Sequence, residues 1–140
     1  MIKKNHYGEN FNLFFIIEMK LLKLDDFLAL DNPNPTESFR PEIITNKDKA
    51  FNLGGMLGIL APKTSVPYHY HEKRESVIIV ISGKGIEIID GKEFTIKKGD
   101  ILFIPAGEKH RTINNSEEDL RYIEFFTNPP LNKDFVPIDS

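Results

Sequence analysis

The sequence predicts one all-β domain, a small barrel or sandwich of short strands. Residues 86–89 and 93–97 are apolar or alternating, and the Asp90-Gly91 pair between them is typical of a tight hairpin turn. From residue 50 onwards, further short apolar segments follow one another, separated by turns rich in Gly, Pro and Asn. A length of 140 residues suits a single domain with its own core.

The N-terminal part of the chain differs in composition from the rest. Residues 1–18 form an N-terminal leader whose role is doubtful. Its apolar run LFFII at 13–17 is too short for a signal peptide, which has roughly 7–15 apolar residues. Either Met19 is the true start of the protein, or LFFII is an edge strand of the fold. We expect residues 19–49 to pack on the barrel as strand and turn segments, with a short helix beginning near Asp26.

Residues 50–127 contain the predicted barrel. Glycines at 54, 55 and 58 indicate bends or close backbone approach within its first long strand. The run at 77–81 is apolar and β-branched, which favours a strand buried on both faces. Residues 128–140 contain two early prolines and are expected to form an irregular tail. The predicted strands of the whole chain are 20–24, 39–45, 50–61, 68–71, 77–81, 86–89, 93–97, 101–104, 110–113 and 120–127.

Composition limits the classes of partner. The chain has no Cys, which excludes disulfides and thiolate metal sites and is compatible with a cytoplasmic location. A net charge of -3 gives no argument for nucleic acid or an anionic membrane as partner. No apolar run approaches the roughly 20 residues that span a bilayer. We therefore expect a small-molecule ligand or substrate, with no nucleic-acid or membrane partner.

Three histidines are the candidate metal ligands. His69 and His71 are two residues apart, so on a strand both imidazoles point to the same side. His110 must come from another strand. Three neutral imidazoles suit a divalent transition metal, namely Fe, Mn, Ni, Co, Cu or Zn, and a carboxylate from Glu75 would complete the set. The alternative is a chance histidine pair on a solvated strand.

Two blocks of the sequence, HYHEKRESVIIVISG and GDILFIPAGEKHRTIN, resemble the paired motifs of the cupin superfamily. The second block matches its motif at every spacing, and the first matches at its histidines and its final glycine. The matching residues are His69, His71, Gly83, Gly99, Pro105, Gly107, His110 and Asn114.

The resemblance implies a cupin-like jelly-roll β-barrel with a short N-terminal extension. It also implies a metal held by the three histidines with Glu75, and a homodimer that exchanges an N-terminal strand. Cupin relatives include dioxygenases, sugar isomerases and decarboxylases, so the reaction type stays open. Two hypotheses follow: a metal-dependent enzyme, or a non-catalytic barrel that binds or senses a small molecule, with or without metal.

The chain departs from the motifs at two places. Lys63 stands where the first motif has glycine, and we expect its φ to be negative. The glutamate position is displaced by one residue, so either a bulge turns Glu75 inward or Ser76 occupies the ligand position. Glu87, among isoleucines, is either a substitute carboxylate in the pocket or an outward-facing strand charge.

Overall fold

The structure is a computed structural model. It describes residues 19–139, and the backbone of residues 2–4 and 10–12. The LFFII run at 13–17 lies outside the described residues. In chain order the elements are β1 (Ile2–Lys4), β2 (Asn10–Asn12), α1 (Leu24–Ala29), β3 (Ser38–Phe39), β4 (Glu42–Ile44), β5 (Gly54–Leu60), β6 (His69–Tyr70), β7 (Ser76–Ser82), β8 (Lys84–Ile89), β9 (Lys92–Lys97), β10 (Ile101–Ile104), β11 (His110–Ile113), β12 (Leu120–Phe126) and β13 (Val136–Pro137).

Two antiparallel sheets enclose one core, which confirms the predicted all-β cupin-like barrel. The six-stranded sheet has the order β10-β7-β12-β5-β3, and β4 also pairs with β5. The five-stranded sheet has the order β13-β6-β11-β8-β9. The predicted hairpin is β8–β9, and both Asp90 (φ 48) and Gly91 (φ 78) have the positive φ that a type I′ turn requires.

The six-stranded sheet is apolar on both faces. Alternate residues of β5, β7 and β12 point into the barrel, where Met56, Ile78 and Leu120 belong to the main core. The opposite face packs against α1, β3 and β4. Residues of this second cluster include Leu57, Ile59, Ile81, Ile123, Phe27 and Phe39. The N-terminal segment therefore covers a sheet face that would otherwise be exposed.

Close packing explains two of the three glycines in β5. A Cβ on Gly54 would lie 2.5 Å from the Phe126 ring, and one on Gly58 would lie 2.2 Å from the Tyr122 ring. Both aromatic side chains come from the neighbouring strand β12. The predicted close approach at these positions is confirmed, and it allows two large rings to lie against the β5 backbone.

Several sequence predictions about local structure are wrong. Residues 20–23 form no strand, although the predicted short helix is present as α1 and begins at Leu24. Val77 is 36% exposed, so β7 is not buried on both faces along its whole length. The tail contains β13, which pairs with β6. Lys63 has a φ of 62, in the left-handed region, and not the negative φ that was expected.

No helix in the described part of the chain is long and apolar enough to cross a membrane.

Candidate metal centre

The three histidines meet in the barrel interior. His69 on β6 is paired directly with His110 on β11, and His71 follows one residue after β6. Their candidate ligand nitrogens all lie within 4.8 Å of one another, and the Nε2 atoms of His69 and His110 are 3.0 Å apart. All three side chains are buried. The structure thus brings together the three imidazoles that the sequence selected.

Backbone carbonyls orient two of these rings. Nδ1 of His69 lies 2.6 Å from the carbonyl oxygen of Pro67, and Nδ1 of His71 contacts the carbonyl oxygen of Asp134. A proton on each Nδ1 donates to its carbonyl, which leaves the Nε2 lone pair free to bind a metal. Phe135 stacks on His69 with ring centroids 4.3 Å apart. The tail that was predicted to be irregular therefore forms part of the site.

Glu87 lies behind the third ring. Its Oε1 atom is 3.7 Å from Nδ1 of His110, and within the described residues both atoms are buried without a hydrogen-bond partner. The other carboxylate oxygen accepts a hydrogen bond of 2.6 Å from Thr112 Oγ1. Metal on Nε2 of His110 would place the proton on Nδ1, directed at this oxygen. The donor set and the two unpaired atoms therefore fit a metal ion at Nε2.

Burial keeps the imidazoles neutral. Burial lowers the pKa of His69 to about 3 and the pKa of His110 to about 4, and it lowers the pKa of His71 as well. At neutral pH the three rings are therefore in the neutral form that metal binding requires. Burial raises the pKa of Glu87 to about 7, and the Thr112 hydrogen bond opposes that shift.

Glu75 does not lie at the histidine cluster. Its side chain is exposed, and its backbone N–H donates to Thr127 Oγ1 at 2.9 Å, so no bulge turns it inward. Ser76 occupies the inward position at 2% exposure, and its hydroxyl donates to Glu124 Oε2 at 2.9 Å. The structure does not bring Glu75 to the histidines. The period of two residues along β7 is the reason, since neighbouring side chains point to opposite faces.

A cavity of about 270 Å³ opens beside the histidines. Its walls include three polar residues that the sequence analysis did not select: Arg40, Tyr122 and Glu124. Burial raises the pKa of Glu124, and the Ser76 hydrogen bond with the charges of Arg74 and Arg40 opposes that shift. Glu124 occupies an inward position of β12 between apolar residues. This pattern in the sequence could have identified its carboxylate as a buried group. Arg40 and Tyr122 carried no comparable signal.

Arg74 and Asp134 fasten the tail to the site. The Asp134 carboxylate accepts backbone hydrogen bonds of 2.8–3.0 Å from Glu72, Lys73 and Arg74. Burial raises the pKa of this carboxyl, but the hydrogen bonds outweigh burial and hold the pKa at about 2. The buried guanidinium of Arg74 stacks on Phe126 and donates to the carbonyl of Thr127 and to three tail carbonyls. These contacts hold Asp134 and its carbonyl beside His71.

Sequence comparisons place this geometry among known proteins. A family model described as a cupin domain matches residues 56–126. An oxalate-binding protein of Thermotoga maritima is 34% identical over 64 residues, which are 46% of this chain and 53% of that protein. An uncharacterized protein of Aquifex aeolicus is 40% identical over 55 residues, which are 39% of this chain and 46% of that protein. The chain thus spans about half the length of these curated relatives.

Solved structures with the same architecture cover more of the chain. A protein of Klebsiella pneumoniae with a double-stranded β-helix domain has a TM-score of 0.68 at 21% identity, covering 88% of this chain and 100% of that chain. The polyketide cyclase RemF of Streptomyces resistomycificus has a TM-score of 0.69 at 22% identity, covering 88% and 87%. At such identities the likeness shows the fold alone. The family match over half of the sequence and the shared barrel establish that the chain belongs to the cupin family.

Proposed function

We propose that this cupin binds a divalent transition metal through His69, His71 and His110 and binds a small molecule in the adjoining cavity. One observation carries the proposal: the three buried imidazoles converge, and each has its second nitrogen directed at an oxygen. In proteins, metal-binding histidines commonly hold such an outer oxygen partner. Fe, Mn, Ni, Co, Cu and Zn all accept an imidazole set of this kind.

The protein's own residues have separate parts in this function. Pro67 and Asp134 orient two imidazoles through their carbonyls, and Glu87 accepts from the third. Phe135 and the other apolar walls exclude water from one side of the ring cluster. A bound divalent metal supplies Lewis acidity or a centre for oxygen chemistry.

A non-catalytic binding barrel is the second candidate function. Among residues 19–139, the group that could hold a metal contains the three histidines and no carboxylate. Glu75 is exposed, and Ser76 at the inward position is bound to Glu124. A barrel with this site could bind a small molecule without transforming it, with or without metal.

Elemental analysis of the purified, untagged protein tests the metal site. We expect close to one transition metal per chain in the wild type, and its loss in His71→Ala and His110→Ala. Glu75→Ala is the matched control and should keep the metal, because the Glu75 side chain is exposed. Equal losses in His110→Ala and Glu75→Ala would contradict the assignment. A wild type that takes up no metal after reconstitution would favour the metal-free binding barrel.

We further propose a homodimer. Ile101 is 69% exposed, Phe103 is 57% exposed, and both lie on β10 at the edge of the six-stranded sheet beside Val77. An apolar edge strand of this kind is commonly covered by another chain. Light scattering should give twice the chain mass, and Phe103→Glu should shift it to the monomer. A monomeric wild type would contradict the proposal.

A cytoplasmic location stays a prediction that cell fractionation tests.

A further inference from the structure

Arg40 forms a wall of the cavity that the metal proposal does not use. It lies in the short gap between β3 and β4. The preceding residue, Phe39, packs on the outer face of the six-stranded sheet. Successive side chains of extended backbone alternate, so Arg40 points to the inner side, where it lines the same cavity as His69 and His71.

The guanidinium of Arg40 has spare hydrogen-bonding capacity. Burial raises the pKa of both Tyr122 and Glu124, and the charge of Arg40 opposes that shift, so these two side chains are its polar neighbours in the cavity. None of the ion pairs found in residues 19–139 includes Arg40. A guanidinium carries five N–H donors in a planar fork, so donors remain for a ligand.

The other charged walls leave the cavity positive. Arg74 is also a cation, but its donors are directed at backbone carbonyls of residues 127–131. Glu124 is the anionic group among the lining residues, and Ser76 already donates to it. Two guanidinium groups against one carboxylate give a net positive wall, and a bound divalent metal would add to it. A positive lining favours an anion as the ligand.

We propose that the cavity binds a small carboxylate, whose carboxylate group is received by Arg40. This inference rests on the proposed function only in taking the histidine cavity as the ligand site. The planar fork of Arg40 matches a carboxylate with two parallel N–H···O bonds. A single available guanidinium balances the one charge of a carboxylate, whereas a phosphate dianion needs further donors. The volume of about 270 Å³ restricts the ligand to a small organic acid.

Titrations with propionate, propionamide and inorganic phosphate test the assignment. The two organic probes have nearly the same shape, and only propionate carries a charge. Dissociation constants are measured by NMR on the full chain, in the metal-free form and after metal loading. Propionate should bind at least about tenfold more tightly than propionamide, the ratio expected for hydrogen bonds to a charged group. Phosphate binding as tight as propionate binding would overturn the carboxylate assignment.

Variants identify the residue responsible. Arg40→Met should weaken propionate binding about tenfold or more and leave propionamide binding unchanged. Arg40→Lys keeps the charge without the fork and should lie between Arg40→Met and the wild type. Lys92→Met removes one exposed positive charge on β9 and should bind propionate as the wild type does. Propionate binding that is equal in the wild type and in a folded Arg40→Lys or Arg40→Met protein would overturn the inference.

Metal content of the same preparations separates the two proposals. Binding that depends on Arg40 in a protein that takes up no metal supports the carboxylate inference and contradicts the metal centre. Metal uptake with propionate binding independent of Arg40 supports the metal centre and contradicts the carboxylate inference.

Discussion

Oε1 of Glu87 lies 3.7 Å from Nδ1 of His110, and neither atom has a hydrogen-bond partner among the described residues. Both side chains are almost completely buried. A buried polar atom without a partner is costly, so such a pair indicates a state in which the two atoms bond. A metal held at Nε2 of His110 would create that state, because the proton of the ring would then lie on Nδ1.

Replacing Glu87 should therefore weaken metal binding. Glu87→Leu should lower the metal affinity about 10–100-fold, because it removes the oxygen that fixes the ring and its proton. Glu87→Gln should cost less, since an amide oxygen can still accept from Nδ1. Competition with a chromophoric chelator measures the affinity. Glu93→Leu, an exposed position on β9, is the control. Unchanged affinity in Glu87→Leu would contradict the pairing.

Gly107 should tolerate substitution poorly for conformational reasons. Its φ is 82, and its N–H donates to the carbonyl oxygen of His71 at 2.6 Å. Among the described residues no heavy atom lies within 4 Å of a Cβ built there, so backbone strain rather than collision is expected. Gly107→Val should lower the free energy of unfolding by about 1–3 kcal/mol. Gly107→Asn should lose less, since Asn tolerates this conformation. Chemical denaturation measures both, and an unchanged Gly107→Val protein would count against the loop conformation.

At position 63, a residue with a side chain should make the protein less stable than glycine does. Its φ of 62 strains a side-chain-bearing residue, while its Nζ donates to the Asn115 carbonyl oxygen at 2.8 Å and pairs with Glu117. Comparing Lys63→Gly with Lys63→Ala removes those contacts from both proteins and isolates the strain. The glycine variant should be more stable than the alanine variant by about 1 kcal/mol in denaturant unfolding. Equal stability would show that the left-handed backbone carries no strain.

Glu124 should make the metal-free protein less stable as pH rises. Burial raises the pKa of Glu124, although Ser76, Arg74 and Arg40 oppose that shift. The folded state therefore holds this proton to a higher pH than the unfolded chain does, and stability falls as pH rises from the ordinary carboxyl range towards the folded pKa. A protein with Gln at this position has no carboxyl to ionise there, so it does not lose this stability over that pH range.

The measurement is the difference in unfolding free energy between Glu124→Gln and the wild type, both with chelator. It should shift in favour of Glu124→Gln as pH rises above the ordinary carboxyl range. Glu37→Gln changes an exposed carboxyl and serves as control. A difference that is constant with pH, or that shifts towards the wild type, would show that the Glu124 pKa is not raised.

The sequence determined those features that depend on neighbours along the chain. The Asp90-Gly91 turn and the shared side of His69 and His71 follow from local backbone rules. The motif spacing also identified His110 as the third imidazole. Each of these depends on short-range geometry, which a single sequence carries.

Only the tertiary structure decided which residues surround the histidines. The pairing of β7 with β12 sets Ser76 inward and Glu75 outward, and the same pairing brings Glu124 to Ser76. Arg40 and Asp134 arrive from opposite ends of the chain. Strand register and long-range packing fix these contacts, because a shift of one residue exchanges the two faces of a strand. The spacing of residues along the chain does not determine that register.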